Sequence, residues 1–151
     1  GGSEYHHELI GFNSRLDTLQ AALLLVKLPH LDKWSLARRA NAEYYNQRFA
    51  EANLKTPKVE NYAYHIYNQY TILVENRDAL RQHLLDKKIG NKIYYPVPLH
   101  LQACFASLGY GKGSLPVAEE CANKALSLPI YSHLAENERE YVADTVLSLV
   151  S

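Results

Sequence analysis

Residues 63–87 read AYHIYNQYTILVENRDALRQHLLDK, and this stretch decides the class of fold that we predict. Its first half, residues 63–74, is rich in aromatic and β-branched side chains, which is typical of a β-strand. Asn76 then stands where a helix N-cap is expected, and residues 77–87 carry leucines at helical spacing before Gly90 ends the helix. The stretch therefore predicts a strand that leads directly into a helix.

Downstream of this stretch, short strands alternate with helices. We expect strands at 92–95 and 126–130, a helical turn at 101–108, and helices at 116–125 and 137–149. This alternation predicts an α+β fold in which a small β-sheet has helices packed on one face.

Upstream of it, the pattern is that of a long helical arm. We expect one helix from Arg15 to about Leu28, ended by Pro29, and a second over residues 30–52. Two long helices joined at a proline present a large surface to another domain or chain. We therefore expect two units: an entry loop and arm for dimer or large-domain contact over residues 1–54, and a small α+β domain over residues 55–151.

Composition excludes several classes of function. The 151 residues carry 16 Lys+Arg against 16 Asp+Glu, so nothing in the charge favours a nucleic-acid or membrane partner. The longest apolar run, residues 21–26, is far shorter than the roughly 20 residues that span a bilayer.

Cys104 and Cys121 do not form a CxxC pair, and two free thiols in a cytoplasmic protein is the simplest interpretation. The chain lacks methionine, so we expect a processed, cut or cloned segment.

Residues 11–17, Gly-Phe-Asn-Ser-Arg-Leu-Asp, form the first candidate site, where a loop enters the first helix. The N–H groups at a helix N-terminus attract anions, and Arg15 offers a planar fork suited to phosphate. The purely structural alternative is that Asn13 or Ser14 caps the helix while Arg15 pairs with a nearby carboxylate. Spacing alone leaves both open.

Residues 94–100, Tyr-Tyr-Pro-Val-Pro-Leu-His, form the second candidate site. Two prolines stiffen a short turn, which would hold the hydroxyls of Tyr94 and Tyr95 and the imidazole of His100 at fixed positions. The alternative is that the tyrosines pack in the core and His100 caps the next helix. Both interpretations stay open on the residues alone.

Three other patterns do not predict a site. Residues 109–114 are glycine-rich, but Gly113 follows Lys112, which breaks the order required in a P-loop. His6 and His7 are neighbours that face apart in an extended chain, and no further cluster has zinc-ligand spacing, so we expect no metal. No Gly-x-Ser-x-Gly elbow offers a hydrolase nucleophile.

The order of these features resembles the DegT/StrS-type nucleotide-sugar aminotransferases, which are pyridoxal-phosphate (PLP) enzymes of fold type I. The most specific match is residues 93–102, Ile-Tyr-Tyr-Pro-Val-Pro-Leu-His-Leu-Gln. Residues 5–8, 11–17, 28–34 and 126–130 follow the family pattern in the same order. The resemblance covers nearly the whole chain and implies the C-terminal segment of such an enzyme.

The resemblance also implies roles for individual residues. Asn13 and Arg15 match a family motif that reaches the cofactor phosphate across a dimer interface, which favours the anion-site interpretation over the cap. Tyr94, Tyr95 and His100 match the border of the nucleotide-sugar site and become the candidate substrate contacts. The variant found here is similar to members that act on 3-keto sugars of dTDP or UDP.

One element of the family pattern is missing. The Schiff-base lysine of the family lies upstream of the Tyr5 position, in a Pro-Gly-Lys-Asn context, and none of the nine lysines here sits in that setting. PLP chemistry requires this lysine. We therefore predict that the parent enzyme transfers an amino group, from glutamate as donor, to a keto-sugar nucleotide, whereas this segment alone neither binds PLP covalently nor transaminates.

Two alternatives belong to other functional classes: a non-catalytic interaction module and a nucleotide-sugar-binding protein. For any of the three, an exposed apolar arm would drive pairing, so we expect a homodimer or higher oligomer.

Overall fold

The computed structural model describes residues 4–13 and 16–150. Five helices and two strands follow one another, joined by single turns of 3₁₀ helix at Leu28–His30 and Leu99–Leu101 and a longer 3₁₀ segment at Ala103–Leu108. In chain order they are α1 (Thr18–Lys27), α2 (Leu31–Ala50), β1 (Tyr70–Leu73), α3 (Arg77–Asp86), α4 (Pro116–Lys124), β2 (Ala125–Leu128) and α5 (Glu136–Val150). The predicted α+β class, with a helical arm ahead of a small sheet, is confirmed.

The sheet consists of β1 and β2, which pair antiparallel with Tyr70 opposite Leu128 and Leu73 opposite Ala125. Two isolated bridges extend it, one between Lys55 and Leu73 and one between Lys92 and Ser127. All four residues of β2 are buried, whereas β1 alternates between buried and half-buried positions. The sheet is thus a short pair of strands that is largely buried among the helices.

Aromatic rings from α2 and β1 form the centre of the core. Tyr45 stacks on Phe49 at 5.6 Å between ring centroids and contacts Tyr70 at 5.1 Å, and all three side chains are fully buried. The hydroxyl of Tyr45 donates to the carbonyl of Pro129 at 3.1 Å, and that of Tyr70 donates to Asn46 Oδ1 at 2.7 Å. Burial raises the pKa of both phenols well above its ordinary range. The C-terminal half of α2 is therefore part of the same core as the sheet.

The first predicted strand, residues 63–74, is wrong over its first seven residues, because regular pairing begins only at Tyr70. The carbonyl groups of this segment are taken by side chains of α2 instead of by a strand. Arg39 donates to the carbonyl of His65, and Arg38 donates to those of Tyr67 and Asn68. These two arginines therefore hold the segment against α2.

The other predicted strands are also shorter than expected. Of residues 92–95, only Lys92 pairs, through its bridge to Ser127. The strand predicted at 126–130 runs from Ala125 to Leu128, since Pro129 has no N–H group to continue the ladder. The predicted helices agree with α3, α4 and α5 to within one residue at each end.

The arm exposes most of its apolar surface. None of the residues Thr18–Lys27 of α1 is buried, and Leu19 and Val26 are each more than 70% exposed. The helix ends at Lys27, just ahead of Pro29, as predicted, but it begins three residues later than expected, at Thr18. Within the described residues, no helix is long and apolar enough to cross a membrane.

Candidate functional site

An aromatic cavity of about 770 Å³ lies between the 94–102 loop and α4. Tyr94, Tyr95 and His100, the three predicted substrate contacts, all line it. The opposite side is formed by Ala118, Cys121 and Ala122 on the inner side of α4. Small apolar side chains facing aromatic ones give a concave site of the size that proteins use for small ligands.

Three tyrosine rings form one wall of this cavity. Tyr94 and Tyr95 lie edge to face, with 5.7 Å between ring centroids, and the peptide bond between them is cis. Tyr5 from the entry segment contacts both rings edge-on, at 6.0 Å from Tyr94 and 5.3 Å from Tyr95. Tyr95 remains 57% exposed. The wall therefore offers aromatic edges and faces to a ligand, and Tyr5 belongs to it although the sequence assigned it no role.

His100 is buried beside the cavity instead of standing free within it. It lies in the 3₁₀ turn Leu99–Leu101, and its Nε2 is hydrogen-bonded to Glu119 Oε1 at 3.0 Å. The imidazole makes no capping hydrogen bond for a helix. Its role as a substrate contact stays a prediction, and such a contact would use Nδ1 or the ring edge, since Nε2 is engaged.

Glu119 connects His100 to the glycine-rich loop. Its carboxylate accepts hydrogen bonds from the backbone N–H of Gly113, at 2.8 and 3.0 Å, and from that of Leu115 at 3.4 Å. These donors, the Gly113 amide first and His100 second, lower the pKa of the Glu119 carboxyl. Sequence analysis missed this residue; the available signal was an acidic side chain close to the start of a helix that begins with proline.

The first candidate site is described only in part. Asn13 is exposed, and Arg15 lies outside the described residues, as does Ser14. The helix cap is Asp17, whose carboxylate accepts from the Gln20 N–H at 2.7 Å, while the Gln20 side chain accepts from the Asp17 N–H at 3.3 Å. A carboxylate thus already caps this helix and takes one of its first-turn amides, the N–H of Gln20.

Part of the chemistry needed to hold PLP fits these residues. An exposed amide at Asn13 is available to a phosphate oxygen from outside this chain. Covalent attachment through a lysine of the site does not fit, because no lysine is among the described residues that line the aromatic cavity. Lys92 lies two residues before Tyr94 in the chain. It is ion-paired with Glu4 at 3.1 Å, and this carboxylate raises the pKa of the Lys92 amine. A raised pKa keeps the amine protonated and poorly nucleophilic.

Comparison with known proteins places these features in a family. The model of the DegT/DnrJ/EryC1/StrS aminotransferase family matches residues 1–147. A "Pleiotropic regulatory protein" from Geobacillus stearothermophilus is 47% identical over 95% of this chain and 39% of its own length. The dTDP-3-amino-3,4,6-trideoxy-alpha-D-glucose transaminase of Streptomyces venezuelae is 40% identical over 95% of this chain and 38% of its own length.

A solved structure shows the same fold. The crystal structure of S. venezuelae DesV in complex with a ketimine intermediate superposes with a TM-score of 0.86 at 38% identity, covering 99% of this chain and 40% of that one. The chain spans about 40% of the length of these relatives. Since the family model covers nearly all of it, the chain belongs to the DegT/DnrJ/EryC1/StrS aminotransferase family.

Proposed function

We propose that this chain is the C-terminal segment of a PLP-dependent aminotransferase that passes an amino group from glutamate to a keto-sugar nucleotide in the cytoplasm. The observation that carries the proposal is the aromatic cavity, which brings Tyr94 and Tyr95 together beside His100 in a chain of this family. Aromatic rings suit the flat base or the apolar face of a sugar, and the polar groups between them suit its hydroxyls.

Within this proposal, Asn13 and Arg15 hold the phosphate of PLP that is bound to a partner subunit, and Tyr94, Tyr95 and His100 contact the nucleotide sugar. The name of the S. venezuelae transaminase supports a dTDP-linked sugar with nitrogen at carbon 3. PLP, when bound, would supply the electron sink for amino transfer. The residues of this chain would contribute binding and orientation of the two ligands.

The arm supports a homodimer as the working form. Leucines of α1 are more than half exposed, including Leu19, Leu23 and Leu25, and a continuous apolar surface of this kind favours burial against another subunit or domain. We propose residues 1–54 as the unit that makes this contact and residues 55–151 as the small domain. The C-terminal half of α2 would then connect the two, since Tyr45 and Phe49 belong to the core.

The segment by itself is proposed to be inactive. The test is to mix the purified 151-residue chain with PLP, reduce with borohydride and measure any covalent adduct by mass spectrometry. We expect no adduct at a single defined lysine. The longer enzyme, assayed with glutamate and a panel of keto-sugar nucleotides, is expected to transaminate. If the longer enzyme binds its cofactor but transfers no amino group to any of the sugar nucleotides, that result would instead favour the non-catalytic interaction module.

A further inference from the structure

Gln102 is a buried glutamine whose side-chain amide joins two distant parts of the chain. It is only 5% exposed. Its Oε1 accepts a hydrogen bond from the backbone N–H of His7 at 2.9 Å, and its Nε2 donates to the carbonyl of Tyr5 at 2.8 Å. The same Nε2 lies 3.3 Å from the carbonyl of Val97, within the loop that carries the other two tyrosines. The Gln102 side chain thus binds both the entry segment and the 94–102 loop.

A second hydrogen bond reinforces the same junction. The backbone N–H of Cys104 donates to the carbonyl of His7 at 3.1 Å, so His7 is held on both its amide and its carbonyl side. Beyond His7, residues 8–13 are all exposed. Tyr5 is therefore held against the cavity by the contacts that residues 102–104 make with residues 5–7, together with the ion pair between the neighbouring Glu4 and Lys92.

We propose that Gln102 is the positioning residue that holds Tyr5 against Tyr94 and Tyr95, and so completes the aromatic wall of the cavity. A primary amide suits this role because it accepts from one backbone N–H and donates to two carbonyls at the same time. A side chain of similar length without these groups would leave the His7 N–H and the carbonyls of Tyr5 and Val97 unpaired in a partly buried region. That this wall binds a nucleotide sugar rests on the proposed function above.

The structural part of the proposal is tested on the 151-residue chain by NMR. In the Gln102→Leu variant, the cross-relaxation between the Tyr5 and Tyr95 rings should disappear, and the His7 amide should exchange with solvent at least tenfold faster. Gln47→Leu removes a glutamine from the exposed face of α2 and should change neither signal. The amides of Ile72 and Leu126 in the sheet report whether the core is intact.

A second variant avoids the core altogether. His7→Pro removes the N–H group that donates to Gln102, together with the imidazole, and restricts the backbone of residues 6–7. It lies at an exposed residue and leaves the Gln102 side chain in place. Like Gln102→Leu, it should weaken the contact between the Tyr5 and Tyr95 rings. If the rings stay in contact and the His7 amide stays protected in Gln102→Leu, the positioning role is excluded.

The functional part is tested on the longer enzyme, with dTDP and UDP as probes in titration calorimetry. In Gln102→Leu, the affinity for whichever nucleotide the unaltered enzyme binds should fall at least tenfold. KM for the sugar nucleotide should rise while kcat changes less than threefold, since the wall binds without reacting. Unchanged affinity together with a lost Tyr5 contact would support the positioning role of Gln102 and overturn the binding role of the wall. An unaltered enzyme that binds neither nucleotide would count against the proposed function, and the ring contact would still decide the role of Gln102.

Discussion

The imidazole Nε2 of His100 lies 3.0 Å from Oε1 of Glu119, and the same oxygen lies 2.8 Å from the backbone nitrogen of Gly113. A single carboxylate oxygen is therefore shared between a buried histidine and the glycine-rich loop. The glycine-rich loop is thus tied at its end to the 94–102 loop. Its conformation consequently depends on the charge of Glu119.

The stability of this link should depend on pH. The pKa of Glu119 is lowered in the folded chain by its hydrogen bonds with Gly113 and His100, so the carboxylate stabilises the fold above the ordinary glutamate pKa of about 4.3. This contribution is lost as the pH falls through the lower folded value. We expect Glu119→Gln to reduce the thermal unfolding temperature at pH 6 and to reduce it less at pH 3. Glu43→Gln, at an exposed site on α2, is the matched control; an equal deficit at both pH values would contradict the prediction.

The core aromatic cluster should be sensitive to truncation. Phe49 is fully buried and stacks on Tyr45, so Phe49→Ala removes a large apolar side chain and leaves a cavity. Substitutions of this kind cost about 3–5 kcal/mol of unfolding free energy. Phe12→Ala, at a fully exposed ring, should change it by less than about 0.5 kcal/mol. Urea unfolding followed by tyrosine fluorescence measures both; a loss below about 1 kcal/mol for Phe49→Ala would show that the site is not packed as described.

Arg38 should hold the segment between the arm and the sheet. Its guanidinium donates to the carbonyls of Tyr67, Asn68 and Ile130, at 3.1, 3.4 and 2.8 Å. Hydrogen bonds to charged groups contribute roughly 1.5–3 kcal/mol each when well formed. Because one nitrogen, Nη1, makes all three bonds and one of them is long, we expect Arg38→Ala to cost about 2–3 kcal/mol in all. Hydrogen exchange of residues 65–69 should also accelerate. Arg81→Ala, at an exposed position of α3, is the control, and similar effects for both variants would refute the assignment.

The apolar arm should determine the state of association. Leu23 is 58% exposed and belongs to α1, none of whose residues Thr18–Lys27 is buried. Leu23→Glu should therefore shift the chain from dimer to monomer in sedimentation velocity without lowering its unfolding temperature. Lys87→Glu, an exposed charge change outside residues 1–54, should leave association unaltered. An unmodified chain that sediments as a monomer at high concentration would contradict the expected dimer.

The helices were predictable because their signals are local. Pro29 ends α1 because it has no N–H group to continue the helical hydrogen bonds, although Leu28 before it keeps helical dihedrals. Pro116 opens α4 where its missing N–H is not needed. The strand predicted over residues 63–74 failed over residues 63–69 for the opposite reason. Its aromatic and β-branched composition is real, but arginines about 30 residues upstream take the carbonyl groups that a neighbouring strand would otherwise use.

For the candidate site, the sequence predicted which residues take part but not the contacts that hold them in place. Tyr94, Tyr95 and His100 were identified from two prolines and a family resemblance, and the structure brings all three to one cavity. Gln102 was within the matching stretch, yet its partners lie 95 to 97 residues earlier in the chain. Hydrogen bonds across such distances leave no periodicity or spacing in the sequence that would reveal them.

The pairing of Tyr45 with Pro129 has a consequence for how the chain is made. The hydroxyl–carbonyl bond spans 84 residues, and the residues paired between β1 and β2 lie 52 to 58 residues apart. While the polypeptide emerges from the ribosome, α2 therefore exposes its rings until almost the last helix has been translated. Late closure of this kind slows folding and leaves the nascent chain dependent on protection from aggregation.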